Sequence, residues 1–400
     1  MAQRTNRRRR PRGTSLRGQR HEVVVGPVAH GGHFVARIRE LGERVVFVRH
    51  ALPGERVVVA ITEGTDGDRF LRGDAVQILE PAPERVPAPC PVAGPGMCGG
   101  CDFQHVALTE QRRLKAAVVI EQLRRIARLP EDHEALAGFE VEPVPGDEDG
   151  LRWRTRVTFA TDRQGRRGMR RHRSHQVVPV DDCLIGTRDA RITGRGPEVV
   201  TEQVSADAGD HAFAVDADGF WQVHPGAPRV LVDCVMDWLR PVPGERALDL
   251  YAGVGLFSAY LADAVAPEGT VLAVEGASRA AGHARDNLAG SAGVAVVAGD
   301  VAEVLSTSDA AADVVVLDPP RAGAKRTVVD QVLRREPRAI ALVACDPAAM
   351  ARDVALFGEG GYRMAALRAF DLFPMTHHVE CVALLVPAVT GTAESRKHAR

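Results

Sequence analysis

The hydrophobic rhythm of the chain changes twice. From His21 to about Leu79, short β-rich runs alternate with turns: Glu22–Val25, Arg44–Arg49, Arg56–Ile61 and Ala75–Leu79, with Pro53-Gly54 in one of the breaks. Short strands spaced in this way predict a small β-barrel. Pro81 to Pro91 holds five prolines and marks a boundary. Residues 90–225 follow with a mixed pattern, including a helix predicted over Thr109–Leu129 from the spacing of Leu114, Val118, Ile120, Leu123 and Ile126. From Pro228 onward strand and helix alternate. The strand candidates are Arg246–Leu250, Val271–Glu275, Ala295–Ala298, Asp313–Leu317, Ala339–Ala344 and Glu380–Leu385. Apolar strands separated by helical stretches predict a parallel, doubly wound sheet.

Composition changes this picture little, and charge placement changes it more. The 400 residues carry 51 Lys+Arg against 52 Asp+Glu, so the chain is no polycation. Yet the first twenty residues hold eight arginines, including Arg7–Arg10, and nine more lie between Arg152 and Arg173 with Asp162 the single acid. Two basic segments in a near-neutral chain point to a local footprint for a polyanion. In the second, Leu151–Phe159 alternates basic with apolar or small residues. That spacing predicts Arg152, Arg154 and Arg156 on one strand face, followed by a hairpin over Arg166–Arg173. No apolar run reaches the roughly 18 residues of a membrane span, and the N-terminus lacks an apolar export core, so a cytoplasmic location is expected.

The segment Asp249-Leu-Tyr-Ala-Gly-Val-Gly-Leu-Phe257 follows a strand and opens a helix, with Gly253 and Gly255 free to turn tightly against a ligand. Glu275, Asp300 and Asp318 then close the next three strands. Acids at four successive strand ends share the carboxyl edge of the sheet, where Glu275 could accept from ribose hydroxyls and Asp300 could face an adenine. Position 258 is serine rather than the third glycine of a dinucleotide site, so S-adenosylmethionine is preferred to NAD.

Cys345 lies just past the apolar strand Ala339–Ala344, on the same edge, and Glu380 stands immediately before the last strand. A thiolate that adds to C6 of a pyrimidine makes C5 nucleophilic, and a carboxylate can afterwards take the C5 proton. Cys345 is therefore the candidate nucleophile and Glu380 the candidate proton acceptor. Cys90, Cys98, Cys101 and Cys183 suit a metal centre, either tetrahedral zinc or a [4Fe–4S] cluster. Cys234 and Cys381 are expected in the core.

These motifs resemble the RNA 5-methyluridine methyltransferase family from about residue 20 to 386. Gly219-Phe-Trp-Gln-Val-His224 is similar to that family's cofactor segment, with Gln222 at the glutamine position and Tyr251 at an aromatic contact. Asp318-Pro-Pro-Arg-Ala-Gly323 matches its Asp-Pro-Pro-Arg motif, and Phe373-Pro-Met-Thr-His-His-Val-Glu380 its closing signature. The resemblance implies cofactor contacts at Gln222, Tyr251, Glu275 and Asp318, and a TRAM domain for the N-terminal barrel. It also implies a [4Fe–4S] cluster on the four cysteines. Three positions depart from the pattern: Ala-Cys-Asp-Pro stands where Ser-Cys-Asn-Pro is common, His224 replaces asparagine, and the gap from Cys90 to Cys98 is two residues longer. A 5-methylcytosine enzyme would carry cysteine where Arg321 stands.

The fold expected is thus multidomain α/β. It comprises an arginine-rich tail (1–19), an OB-like barrel (20–80), a central α+β domain with the cysteines and an RNA-binding sheet (81–225), a Rossmann-like methyltransferase domain (226–388) and a short tail (389–400). The expected partner is a single-stranded loop of tRNA or rRNA, since a stacked base must be extruded for chemistry at C5, and the protein is expected to act as a monomer.

Overall fold

A computed structural model describes residues 13–146, 148–193, 198–308 and 311–388. The Arg7–Arg10 run and the C-terminal tail lie outside the described residues. The chain forms two compact units. One gathers residues 1–114, 159–184 and 374–377; the other gathers 115–158, 185–373 and 378–400.

In the first unit, Arg20–Ala29, His33–Ile38, Arg44–Arg49, Phe70–Glu80 and Arg56–Glu63 close a five-stranded barrel in that order. Alternation places Val57, Val59 and Ile61 inside with Phe34, Ile38, Val46, Val48 and Leu71. The strands at His33–Ile38 and Phe70–Glu80 were shorter or absent in the sequence pattern. The proline-rich connector is tied back by Glu55, whose carboxylate accepts from Leu52 N at 2.8 Å, Ala82 N at 3.1 Å and the Arg85 guanidinium at 2.5 Å. A separate antiparallel sheet joins Ala160–Thr161, Arg167–Arg170 and Val177–Pro179. The hairpin expected over Arg166–Arg173 is instead one central strand, Arg167–Arg170, which turns back to Ala160–Thr161 on one side and to Val177–Pro179 on the other.

The second unit is built on an eight-stranded sheet. Its order is Val294–Ala298, Thr270–Glu275, Arg246–Leu250, Val314–Leu317, Ala339–Ala344, Glu380–Pro387, Tyr362–Phe370 and Val141–Glu142. Both faces are buried. Leu248, Leu250, Val315, Leu317, Ile340 and Leu342 face one core with the helices Val301–Thr307, Lys325–Leu333 and Pro347–Glu359. Ala247, Val314, Val316, Ala341 and Val343 face the other, with Ala227–Leu239 and Leu256–Val265. The first five strands are parallel, but Glu380–Pro387 runs antiparallel to both of its neighbours. Strand order reverses between Arg246–Leu250 and Val314–Leu317, and such a switch leaves a crevice beyond the strands' carboxyl ends.

Two local expectations shift. The helix over 109–129 spans Leu108–Arg125, ending ahead of a left-handed Arg128 and of Pro130, which disfavours helical backbone before it. The strand over 151–159 covers only Arg154–Val157. Arg152 sits at φ 58 with its guanidinium on the Gly186 carbonyl at 3.1 Å, so it does not share the strand face of Arg154 and Arg156.

Candidate active site

The carboxyl edge of the large sheet is built by tight turns. After Leu250 the backbone turns left-handed at Tyr251 (φ 67), Gly253 (φ 58) and Gly255 (φ 93). At Gly255 the left-handed φ favours glycine, and a Cβ would stand 2.9 Å from Leu288 Cδ1. Glu275 braces the loop: its Oε2 accepts from Gly253 N at 2.9 Å and its Oε1 from Ala277 N at 2.6 Å. Asp300 caps the helix Val301–Thr307, accepting from Ala302 N at 2.9 Å and Glu303 N at 3.2 Å.

Two carboxyls at this edge are strongly perturbed. Asp249 is fully buried, and burial pushes it up to about 6 against the opposing hydrogen bonds from Ser258, with Glu275's charge adding to the rise. Ser258 Oγ donates to its Oδ2 at 2.5 Å, while Oδ1 has no hydrogen-bond partner among the described residues. Asp318 is pushed up to about 7 by desolvation and by the charges of Asp249 and Glu275. Three acids crowd one edge, and a cation there would relieve all of them. Tyr251 is pushed up to about 12 by burial, with Asp300 and Asp353 adding to it.

Cys345 and Glu380 belong to the same edge. The register pairs Ala344 with Cys381, which sets the two candidate groups at the ends of adjacent strands. Burial pushes the Cys345 thiol up to about 11, the charges of Glu380 and Asp318 add to this, and Arg321 opposes through its charge and a hydrogen bond. Glu380, 5% exposed, is raised by burial and by Asp318, again opposed by Arg321. Cys345, Glu380, Asp318 and Arg321 therefore form one electrostatic group. Arg321 Nη2 also lies 3.4 Å from His378 Nε2. Sequence reasoning used Arg321 only as a position lacking cysteine and missed it as the cation beside the thiol; a guanidinium in the turn after an acidic strand end was the available signal. The turn is fixed by Asp353, which accepts from Ala324 N at 2.7 Å and Lys325 N at 3.1 Å. Asp346 caps the helix Pro347–Glu359 through Ala349 N at 2.7 Å, a task aspartate performs as well as the asparagine it replaces.

Gln222 is half-buried in the loop before the helix Ala227–Leu239 and shares no hydrogen bond or ion pair with this group among the described residues. Its neighbours are firmly seated. Trp221 packs on Phe213 at 5.6 Å, Val223 O accepts from Thr155 N at 2.8 Å, and His224 stacks on Trp153 at 6.1 Å. Cys234 and Cys381 are buried in the core, as expected.

Cys90, Cys98, Cys101 and Cys183 all fall in the first unit. Burial raises Cys98, and raises Cys101 to about 12; charges on the other thiols of the set add to both, so the four are electrostatic neighbours. Cys98 Sγ accepts from Gly100 N at 3.4 Å and Cys101 Sγ from Gln104 Nε2 at 3.5 Å, while Gln104 Oε1 takes Cys90 N at 3.2 Å. A Cβ on Gly99 would stand 2.6 Å from His172 Cα, so the loop lies flat on the arginine hairpin. Among the described residues no group of three or more His, Cys, Asp or Glu is arranged to hold a metal ion. Basic groups cluster in both units. Arg167 lies over Phe159 at 4.1 Å in the first. In the second, Arg156 is lowered by burial and by Arg191 and Arg154, and Arg191 was not anticipated.

Comparison with known proteins matches residues 14–76 to a TRAM domain and residues 302–387 to a domain described as tRNA (Uracil-5-)-methyltransferase. An RNA methyltransferase of Streptomyces coelicolor is 46% identical over 94% of this chain and 95% of its own length. The 23S rRNA (uracil(1939)-C(5))-methyltransferase RlmD of a Shewanella species is 28% identical over 88% of this chain and 93% of its own. The crystal structure of Pyrococcus abyssi tRNA (uracil-54, C5)-methyltransferase, in complex with S-adenosyl-L-homocysteine, covers 91% of this chain and 99% of its own at a TM-score of 0.63 and 22% identity. That last likeness shows a shared fold: multidomain α/β with a Rossmann-like sheet and a small β-barrel.

Proposed function

The chain belongs to the RNA methyltransferase family that carries a TRAM domain and a tRNA (uracil-5-)-methyltransferase domain, and from that premise we propose that it methylates C5 of a uridine in tRNA or rRNA through a covalent adduct between Cys345 and C6. The observation that carries the reading is the grouping of Cys345, Glu380, Asp318 and Arg321 on one sheet edge.

The donor is S-adenosyl-L-methionine, which would supply an electrophilic methyl on a sulfonium and leave as the neutral thioether S-adenosyl-L-homocysteine. The residues fit such a cation: an orphaned buried oxygen on Asp249 and the raised Asp318 both favour positive charge nearby. Gln222, Tyr251, Glu275 and Asp318 would hold it. Arg321 stabilises the Cys345 thiolate. Its sulfur bonds to C6, and the electron pair released to C5 and O4 makes C5 the nucleophile that accepts the methyl. Glu380 then removes the C5 proton. That electron pair restores the C5–C6 double bond, and the bond from sulfur to C6 breaks.

The Rossmann-like domain over 226–388 performs this chemistry, and the barrel over 20–80 with the arginine-bearing sheets of 81–225 holds a single-stranded RNA loop. Cys90, Cys98, Cys101 and Cys183 would hold a [4Fe–4S] cluster, with zinc as the alternative. Cys98 and Cys101 feel the charges of Cys90 and Cys183 and each accepts an N–H donor, which supports the reading, and the group's part would be to brace the RNA-holding unit. A monomer acting in the cytoplasm completes the proposal; no described helix is long and apolar enough to cross a membrane.

The test uses RNA from cells lacking the gene and tritiated methyl donor. Cys345→Ala should give neither product nor covalent RNA adduct, and Glu380→Gln should accumulate adduct that survives denaturation. Wild-type levels of 5-methyluridine from Cys345→Ala would overturn the mechanism.

A further inference from the structure

The four residues before His378 depart from the large sheet and join the first unit. Three polar side chains fasten them there. Asp102, the residue after Cys101, accepts from His377 N at 3.2 Å on Oδ2, and that oxygen lies 2.5 Å from His377 Nδ1. Arg49 holds the other oxygen of the same carboxylate at 3.2 Å, with both side chains largely buried. Gln111, fully buried, accepts from Met375 N at 2.8 Å and donates to Met375 Sδ at 3.3 Å and to the carbonyls of Phe103 and Val106. The backbone adds two bonds, as Asp102 N and Phe103 N both donate to Met375 O at 3.0 Å. Gly32 closes over the contact: a Cβ there would stand 2.9 Å from His377 Cβ and 3.1 Å from Asp102 Cγ.

The segment these contacts grip has left-handed backbone at Met375 (φ 65), a conformation a free loop would rarely hold. Glu380 lies three residues after His377. We propose that Asp102 and Gln111 are positioning residues for the base: by fixing the 374–377 turn to the cysteine-bearing loop, they set where Glu380 stands relative to the C5 proton. The same helix face supplies a second grip one turn on, where Lys115 Nζ donates to Asp371 Oδ1 at 2.5 Å and Phe373 O at 3.0 Å. The turn is thus held from residues 371 to 377, and the free span to Glu380 is short.

The proposal rests on Glu380 acting as the base, and its signature is a defect late in the cycle. Asp102→Asn keeps the side chain's size but presents one acceptor oxygen where two are used. Gln111→Leu removes the Met375 bonds together with those to Phe103 O and Val106 O, and leaves the bonds of the Asp102 carboxylate in place. With 5-fluorouridine RNA, in which no C5 proton can be removed, both variants should form the Cys345 adduct at the wild-type rate. With ordinary unmodified RNA both should accumulate adduct, with kcat down about tenfold or more and KM within twofold of wild type. Slower adduct formation, a raised KM, or unchanged kcat in both variants overturns the proposal. Absence of accumulated adduct in a Glu380→Gln control would instead overturn the base assignment itself.

Discussion

Replacing Glu380 by Gln should make Cys345 more reactive at alkaline pH while halting turnover. Burial, and next the Glu380 charge, pushes the thiol up from its ordinary 9.0 to about 11. That rise corresponds to about a hundredfold less thiolate at neutral pH. The amide removes one contribution and leaves burial and Asp318, so the thiol midpoint should fall part of the way back. A fall of one unit gives about tenfold faster alkylation where the wild-type thiol is still protonated. The sign depends on pH. Glu380 is itself raised, and while protonated it is as neutral as Gln, so the two proteins should react alike on the acid side and part only once the carboxylate forms. The assay is the rate of iodoacetamide labelling at Cys345 from pH 6 to 11, read by peptide mass spectrometry so that the other cysteines do not interfere. A Gln variant that labels more slowly than wild type, or a ratio constant across the whole range, would refute the electrostatic account.

Arg321→Gln should act in the opposite direction, moving the Cys345 midpoint upward in the same labelling series, because it removes the opposing cation. Lys115→Met leaves Asp371 buried without its ion-pair partner and should cost about 3–5 kcal/mol in urea unfolding, whereas Lys115→Met with Asp371→Leu should recover most of that loss; a double variant as unstable as the single one would contradict this. Asp318 and Asp249 bind protons more tightly when folded than unfolded, so their contribution to stability is present below about pH 4 and is lost as pH rises through about 6 to 7. Relative to wild type, Asp249→Asn should therefore gain thermal stability between pH 5 and 8, and a gain that shrinks with pH would refute the sign. Asp346→Ala should cost about 1 kcal/mol through the lost helix cap, and Asp346→Asn close to nothing, by the same unfolding measurement.

Most of the acidic edge was legible in the sequence because Asp249, Glu275 and Asp318 stand at the carboxyl ends of apolar strands, and strand order then brings those ends together. Asp249, Glu275 and Asp318 needed only the alternation of strand and helix. Tyr362–Phe370 was missed for a physical reason: its Met, Ala, Leu and Arg residues favour helix, and pairing with Glu380–Pro387 overrides that preference. Arg152 was misplaced because a left-handed residue interrupts an otherwise alternating run, and arginine gives no local sign of it. Asp102 and Gln111 were invisible for a different reason. Their partners lie 275 and 264 positions away, and no periodicity reports a contact of that range.

The division of the chain has a bearing on how it is made. The barrel and cysteine loop leave the ribosome early, yet their unit draws its last pieces from residues 159–184 and 374–377. Vectorial synthesis normally lets an amino-terminal domain mature while the rest is still being translated. Here Asp102 and Gln111 meet partners translated 275 and 264 residues after them, so the first unit cannot finish maturing before that later stretch has been made.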